Sequence, residues 1–145
     1  MIIVAQRVSE AFIEVEKENI AEIKQGIVAL IGIEAHDDVT SAERCIQKLL
    51  SIRIFEDTHK KMNLSCKDIQ GGLLLVPQFT LVADTNTGNR PSFSKAAPVE
   101  LSKPLFETLK TIALEKHPIV AFGEFGSDMQ VNLTNNGPAT FILSV

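Results

Sequence analysis

Five consecutive apolar residues, Ile27-Val28-Ala29-Leu30-Ile31, leave a strand with no wet face. Such a strand is stable only when both of its sides are covered, so this segment reads as a central strand with structure above and below it. The residues before it have a period of two. Ile2 and Val4 oppose Ile3 and Ala5, and Ala11, Ile13 and Val15 alternate with Phe12, Glu14 and Glu16, the mark of strands with one buried face. Lys17-Glu18-Asn19 reads as the turn that follows. A second buried strand, Leu73-Leu74-Leu75-Val76, comes after the break at Gly71-Gly72 and runs into Pro77-Gln78-Phe79-Thr80-Leu81.

Between the two buried strands the period changes. Ala42, Cys45, Ile46, Leu49 and Leu50 form one helical stripe, and Thr40 with Glu43 has capping-box spacing. Leu105, Leu109, Ile112 and Ala113 predict a second helix, capped by Ser102, with Pro104 in its first turn and His117-Pro118 at its end. Three short strands are expected after it: Ile119 to Phe122, Met129 to Leu133, and Thr140 to Val145 beyond a turn at Asn135-Asn136-Gly137-Pro138. The fold class is therefore α/β of the α+β type. Mainly antiparallel strands form a curved sheet or barrel with two helices packed against it, in one domain over residues 1–145.

A chain of 145 residues that is 45% hydrophobic can bury roughly 70% of its unfolded surface, so its core needs neither metal nor disulfide. Cys45 and Cys66 form no CxxC pair, and Cys45 on an apolar stripe reads as core rather than nucleophile. The compartment implied is a reducing cytoplasm. The longest apolar run, Ile27 to Ile33, has seven residues, against the ~20 that a membrane helix needs. The start, MIIVAQRVSE, lacks a basic segment and reads as a strand rather than a signal peptide. Fourteen Lys and Arg against 18 Asp and Glu leave a net charge of −4. That balance opposes extended phosphate-driven binding but leaves room for a small docking site for an RNA end.

Most catalytic signatures are missing. His36, His59 and His117 have no metal-site spacing, and no GxSxG, GxxxxGK[ST] or GxGxxG is present. Two features remain. Pro77 at the end of a buried strand marks where pairing stops, which would leave the amides of Phe79 and Thr80 free to face a ligand. Gly137-Pro138 in a turn is a candidate cis peptide, although a plain hairpin loop has the same signature. The segment 84–98, DTNTGNRPSFSKAAP, reads as a long, ordered, functional loop.

VPQFTLVADTNTGNRPSF (76–93) followed by DMQVNLTNNGPATF (128–141), with IIVAQRV, RIFED and KMNLS in matching order, resembles the D-aminoacyl-tRNA deacylase family along the whole chain. That family hydrolyses the ester between a D-amino acid and the 3′ end of tRNA, and some members also clear misacylated glycine. The resemblance implies a homodimer in which Gly137-Pro138, as a Gly-cis-Pro element, enters the partner subunit's pocket and screens chirality. Arg7 would orient that element, Gln78, Phe79 and Thr80 would form the catalytic wall, and Met129 would line the pocket for the terminal adenosine. No cofactor and no metal are implied. One position departs: the family usually has Ser where this chain has Pro77, and a related animal-type deacylase is similar to this chain in having Pro. The missing hydroxyl excludes a serine role there and leaves relaxed selectivity toward small L-amino acids open. Thr80 has no His, Cys or Lys beside it in the motif to serve as its base, so its expected part is structural or water-positioning. The family's use of the tRNA 2′-hydroxyl fits that shortage. The other class of function open to such a chain is a nucleic-acid-binding module of this fold without turnover.

Overall fold

The computed structural model describes residues 1–86 and 88–145. Its organising element is β1 (Ile2–Val15), one 14-residue strand where the sequence suggests two short runs. One edge of β1 pairs along nearly its full length with β8 (Gln130–Ser144). The other edge is shared end to end by two strands. β3 (Gly26–Gly32) takes residues 2–8 and β2 (Glu18–Ile23) takes residues 11–15, all antiparallel. The turn from β1 to β2 is Glu16-Lys17, both at positive φ (51° and 70°), as a tight two-residue hairpin requires. It lies one residue earlier than expected, and Glu18 and Asn19 already belong to β2.

β6 (Gly72–Pro77) joins β3 in parallel, and β7 (Val120–Phe122) joins β6 in parallel. The antiparallel expectation thus holds around β1 and gives way to parallel pairing beyond β3. The reason lies in the connections: α1 (Val39–Ser51) and α2 (Val99–Lys116) each lie on a long crossover, the kind of connection that parallel neighbours need. The parallel strands approach closely where Gly26 faces Gly72; a Cβ on Gly26 would lie 2.0 Å from the Gly72 carbonyl oxygen.

The bend of β1 carries β2 round toward β6, so that a Cβ on Gly72 would touch Ile23. The nearly closed sheet encloses Val8, Ile13, Ile23, Val28, Leu74 and Val76. Its outer face packs Ile3, Ala5, Ile27 and Leu73 against the helices. The α1 stripe is buried as predicted, but the capping residue is Asp38, whose carboxylate accepts from the Ser41 amide at 2.9 Å. An extended Asp immediately before the first turn reaches an orphan helix amide, displacing the expected Thr40 and Glu43 cap. Helix α2 starts at Val99 without a side-chain cap. Ser102 lies inside it and donates to the Pro98 carbonyl oxygen at 3.1 Å, and Pro104 is its sixth residue rather than part of its first turn.

A two-stranded hairpin, β4 (Phe55–Glu56) and β5 (Met62–Leu64), stands beside the main sheet. Asp57 organises it, accepting from the amides of His59 (2.8 Å) and Lys61 (3.1 Å) and from the Asn63 side chain (3.2 Å). The Lys61 amide first, then that of His59, hold its carboxyl below the ordinary value. A depressed folded pKa stabilises above the unfolded pKa, 3.8, and that contribution disappears as pH falls through the folded value. Asp57→Ala should therefore melt below the parent at pH 7, and the difference in melting temperature should shrink progressively as pH falls below 3.8. A gap that persists at low pH would show that the effect of Asp57 does not depend on its charge.

Candidate active site

At the end of β6 the chain leaves the sheet. Pro77 closes the ladder opposite Ile31, one more bond runs from the Gln78 amide to the Ile31 carbonyl oxygen (2.8 Å), and Phe79–Val82 then form a 3-10 helix. The leading amides of a helix have no acceptor within it. Those of Phe79 and Thr80 also find no acceptor elsewhere among the described residues. The Gln78 side-chain amide donates to the Thr80 hydroxyl oxygen.

These residues border a cavity of about 500 Å³. Gln78 and Phe79 form one side and Met129 another, with Ala96, Ala97 and Phe125 completing an apolar lining. The Met129 sulfur accepts from the Glu124 amide at 3.3 Å, which fixes its position over Gly123. The one titratable lining residue is Asp128, and it is exposed. Neither cysteine can serve here, since burial pushes the Cys45 thiol up to about 12 and that of Cys66 to about 11. Glu34, His36 and Asp37 lie close enough together to suggest a metal site, but the Met1 ammonium already bonds Glu34 at 2.8 Å and Asp37 at 2.7 Å.

The remaining predicted residues lie elsewhere. Residues 136–139 do not reverse the chain. Val8 pairs with Asn135 and Gln6 with Thr140, so both halves of β8 follow the same edge of β1 and Asn136 to Ala139 bulge out of it. The expected hairpin turn between two strands is a protrusion from one strand. At its tip the Gly137-Pro138 bond is cis and Gly137 has φ 146°, with both residues exposed. Two side chains hold its base. Asn135 Oδ1 accepts from the Ala139 amide at 2.7 Å. The Arg7 guanidinium, only 6% exposed, donates from Nε to the Asn136 carbonyl oxygen (2.8 Å) and from Nη1 to that of Ile54 (2.6 Å).

Within one chain the candidate residues therefore form two groups. Gln78, Phe79 and Met129 line the cavity with Thr80 beside them, whereas Arg7, Gly137 and Pro138 contribute nothing to it. Arg7 pairs with Ile27 and Pro77 with Ile31, a separation of about 13 Å along β3. Sequence reasoning missed Ala96, Ala97, Phe125 and Asp128 in the lining and Asn135 at the protrusion. Asn135 carries a signal, an Asx side chain beside a turn; Ala96 and Ala97 fall within the 84–98 segment read as a functional loop, but nothing in it singles out the two alanines.

A family model described as D-Tyr-tRNA(Tyr) deacylase matches residues 4–144. The chain belongs to that deacylase family. Among its relatives, the D-aminoacyl-tRNA deacylase of Ectopseudomonas mendocina is 54% identical over 100% of both chains, and that of Legionella pneumophila (strain Lens) is 49% identical over 99% of both. The solved structure of a "c-Myc DNA Unwinding Element Binding Protein" superposes with a TM-score of 0.95 at 34% identity, covering 100% of this chain and 99% of that one. Another, of a probable eukaryotic D-amino acid tRNA deacylase, gives a TM-score of 0.84 at 14% identity over 99% and 98% of the chains, a likeness of fold.

Proposed function

We propose that this deacylase hydrolyses the ester of D-aminoacyl-tRNA in the cytoplasm, in a site that two copies of the chain complete for each other. The observation that carries the reading is the pair of consecutive amides, Phe79 and Thr80, that have no acceptor among the described residues, Phe79 lining an apolar cavity sized for a nucleoside and Thr80 adjoining it in the chain. The terminal adenosine enters the cavity against Met129, and the ester carbonyl oxygen turns to the two amides. Water adds to the carbonyl carbon, the bond to the ribose oxygen breaks, and that oxygen takes up the proton. The adjacent ribose 2′-hydroxyl assists the water. One well-placed donor to the developing oxyanion is worth about 3–4 kcal/mol.

Chirality is screened by Gly137-Pro138 of the second copy. Their main-chain oxygens receive the α-ammonium and leave no space for a side chain in the L position, a rejection by shape rather than by attraction. Glycine has no side chain to reject, so mischarged glycyl-tRNA is accepted as well. A two-fold dimer places each protrusion over the other copy's cavity in one symmetric interface.

The direct test is purified protein with matched D- and L-tyrosyl-tRNA: hydrolysis of the D ester alone is expected. Binding that leaves both esters intact would favour a nucleic-acid-binding module, the alternative suggested by the name of the 34%-identical DNA-binding relative. Among the described residues Thr80 has only the Gln78 amide on its hydroxyl, so no base activates it. Thr80→Ala should keep at least about a tenth of the parental rate; a loss beyond a thousandfold, with folding and tRNA binding intact, would make Thr80 the nucleophile.

A further inference from the structure

Phe79 and Phe93 form an aromatic pair with centroids 5.0 Å apart and planes tilted by 56°. Neither ring belongs to either buried core, and the residues are 60% and 41% exposed. Phe93 is held in place by its loop. Asp84 and Ser92 exchange amide bonds of 2.7 and 2.9 Å, Lys95 bonds Asp84 at 3.2 Å, and the Ala96 amide donates to the Phe93 carbonyl oxygen at 3.0 Å. Phe79 is on the cavity rim, whereas Phe93 is outside the lining.

We infer that this pair is a stacking platform for the nucleobase immediately 5′ of the terminal nucleoside, a second subsite for the single-stranded RNA end. The inference rests on the function proposed above. With the terminal nucleoside in the cavity and the amino acid directed to the second copy's Gly137-Pro138, a strand that leaves across the Phe79 side of the rim meets the exposed ring pair. Aromatic faces accept any base by stacking, a contribution that does not itself require a basic residue, in keeping with a net charge of −4.

Fluorescence anisotropy with an uncharged acceptor-stem hairpin ending in CCA, and the same hairpin abasic at the penultimate position, tests this without turnover. Removing the base should weaken binding to the parent by about 5- to 140-fold, the range to which stacking of about 1–3 kcal/mol converts at about 1.4 kcal/mol per tenfold. Phe93→Ala should bind both hairpins equally, at the weaker affinity, and Phe93→Tyr should restore the difference. Hydrolysis of D-tyrosyl-adenosine, which lacks that base, should be the same in the parent and Phe93→Ala. The inference is overturned if Phe93→Ala keeps the parental affinity for the intact hairpin, weakens both hairpins alike, slows D-tyrosyl-adenosine, or dissociates the dimer. The last two results would give the pair to the amino-acid side chain or to the subunit interface. Absence of any deacylation, with the hairpin difference intact, would count against the proposed function alone.

Discussion

Gly137→Ala should lower hydrolysis of D-tyrosyl-tRNA by about a hundredfold while leaving the fold intact. The residue has φ 146°, a conformation that side chains rarely adopt. A Cβ there would lie 2.9 Å from both Arg7 Nη2 and the Ala139 amide nitrogen. Arg7 is fixed by two carbonyl oxygens and Ala139 by Asn135, so neither neighbour can yield cheaply and the exposed tip has to move. Displacement of a positioning element by about 1 Å is enough for a loss of this size. The melting temperature should change little, because Gly137 and Pro138 are solvent-exposed and belong to neither buried core. A parental rate in Gly137→Ala would remove the protrusion from the site.

Arg7→Ala should damage stability and activity together. Its guanidinium ties the protrusion at Asn136 to the chain entering the β4-β5 hairpin at Ile54, and among the described residues it forms no ion pair with a carboxylate. Hydrogen bonds from a charged group contribute about 1.5–3 kcal/mol each. Loss of both, partly compensated by water, should destabilise the protein by about 3 kcal/mol, or about 6–12 °C in melting temperature. Arg7→Met refills the volume but leaves both oxygens without donors, so it should melt between Arg7→Ala and the parent yet be as inactive as Arg7→Ala. Lysine cannot span both carbonyls with a planar fork, and Arg7→Lys should recover less than a tenth of the activity. Full activity in Arg7→Met would reduce Arg7 to a packing residue.

How much of this was legible from the sequence depended on how many structures share a given signal. Ile27 to Ile31 and Leu73 to Val76 read as covered strands, and the 42–50 stripe as one face of a helix; all three are as expected. Pro77 marked the end of a ladder, and the Phe79 and Thr80 amides that follow it have no acceptor among the described residues. Asn135-Asn136-Gly137-Pro138 was ambiguous, because the turn chemistry that reverses a chain also makes a bulge. Only the register of both halves of β8 on β1 distinguishes the two. The parallel pairing of β6 with β3 did have a signal, because Ile27 to Ile31 and Leu73 to Val76 are continuous apolar runs with a helix between them, but the alternating strands around β1 led to a mainly antiparallel reading of the sheet. The 84–98 segment was legible as a functional loop from its length, but Ala96 and Ala97 within it had no periodicity to mark them as cavity lining. Proximity of Arg7 to Ile54 joins distant segments through a main-chain oxygen, which no side-chain pattern records.

Mixing subunits shows whether each copy supplies half of the other's site. Gly137→Ala disables the protrusion and keeps the cavity; Met129→Trp blocks the cavity and keeps the protrusion. Each folded variant alone should be nearly inactive on D-tyrosyl-tRNA. Equal amounts, dissociated and reassociated together, should regain about a quarter of the parental activity, because half of the dimers are mixed and each mixed dimer has one intact site of two. Mixed dimers that form, as shown by differently tagged subunits, but recover no activity would contradict a shared site.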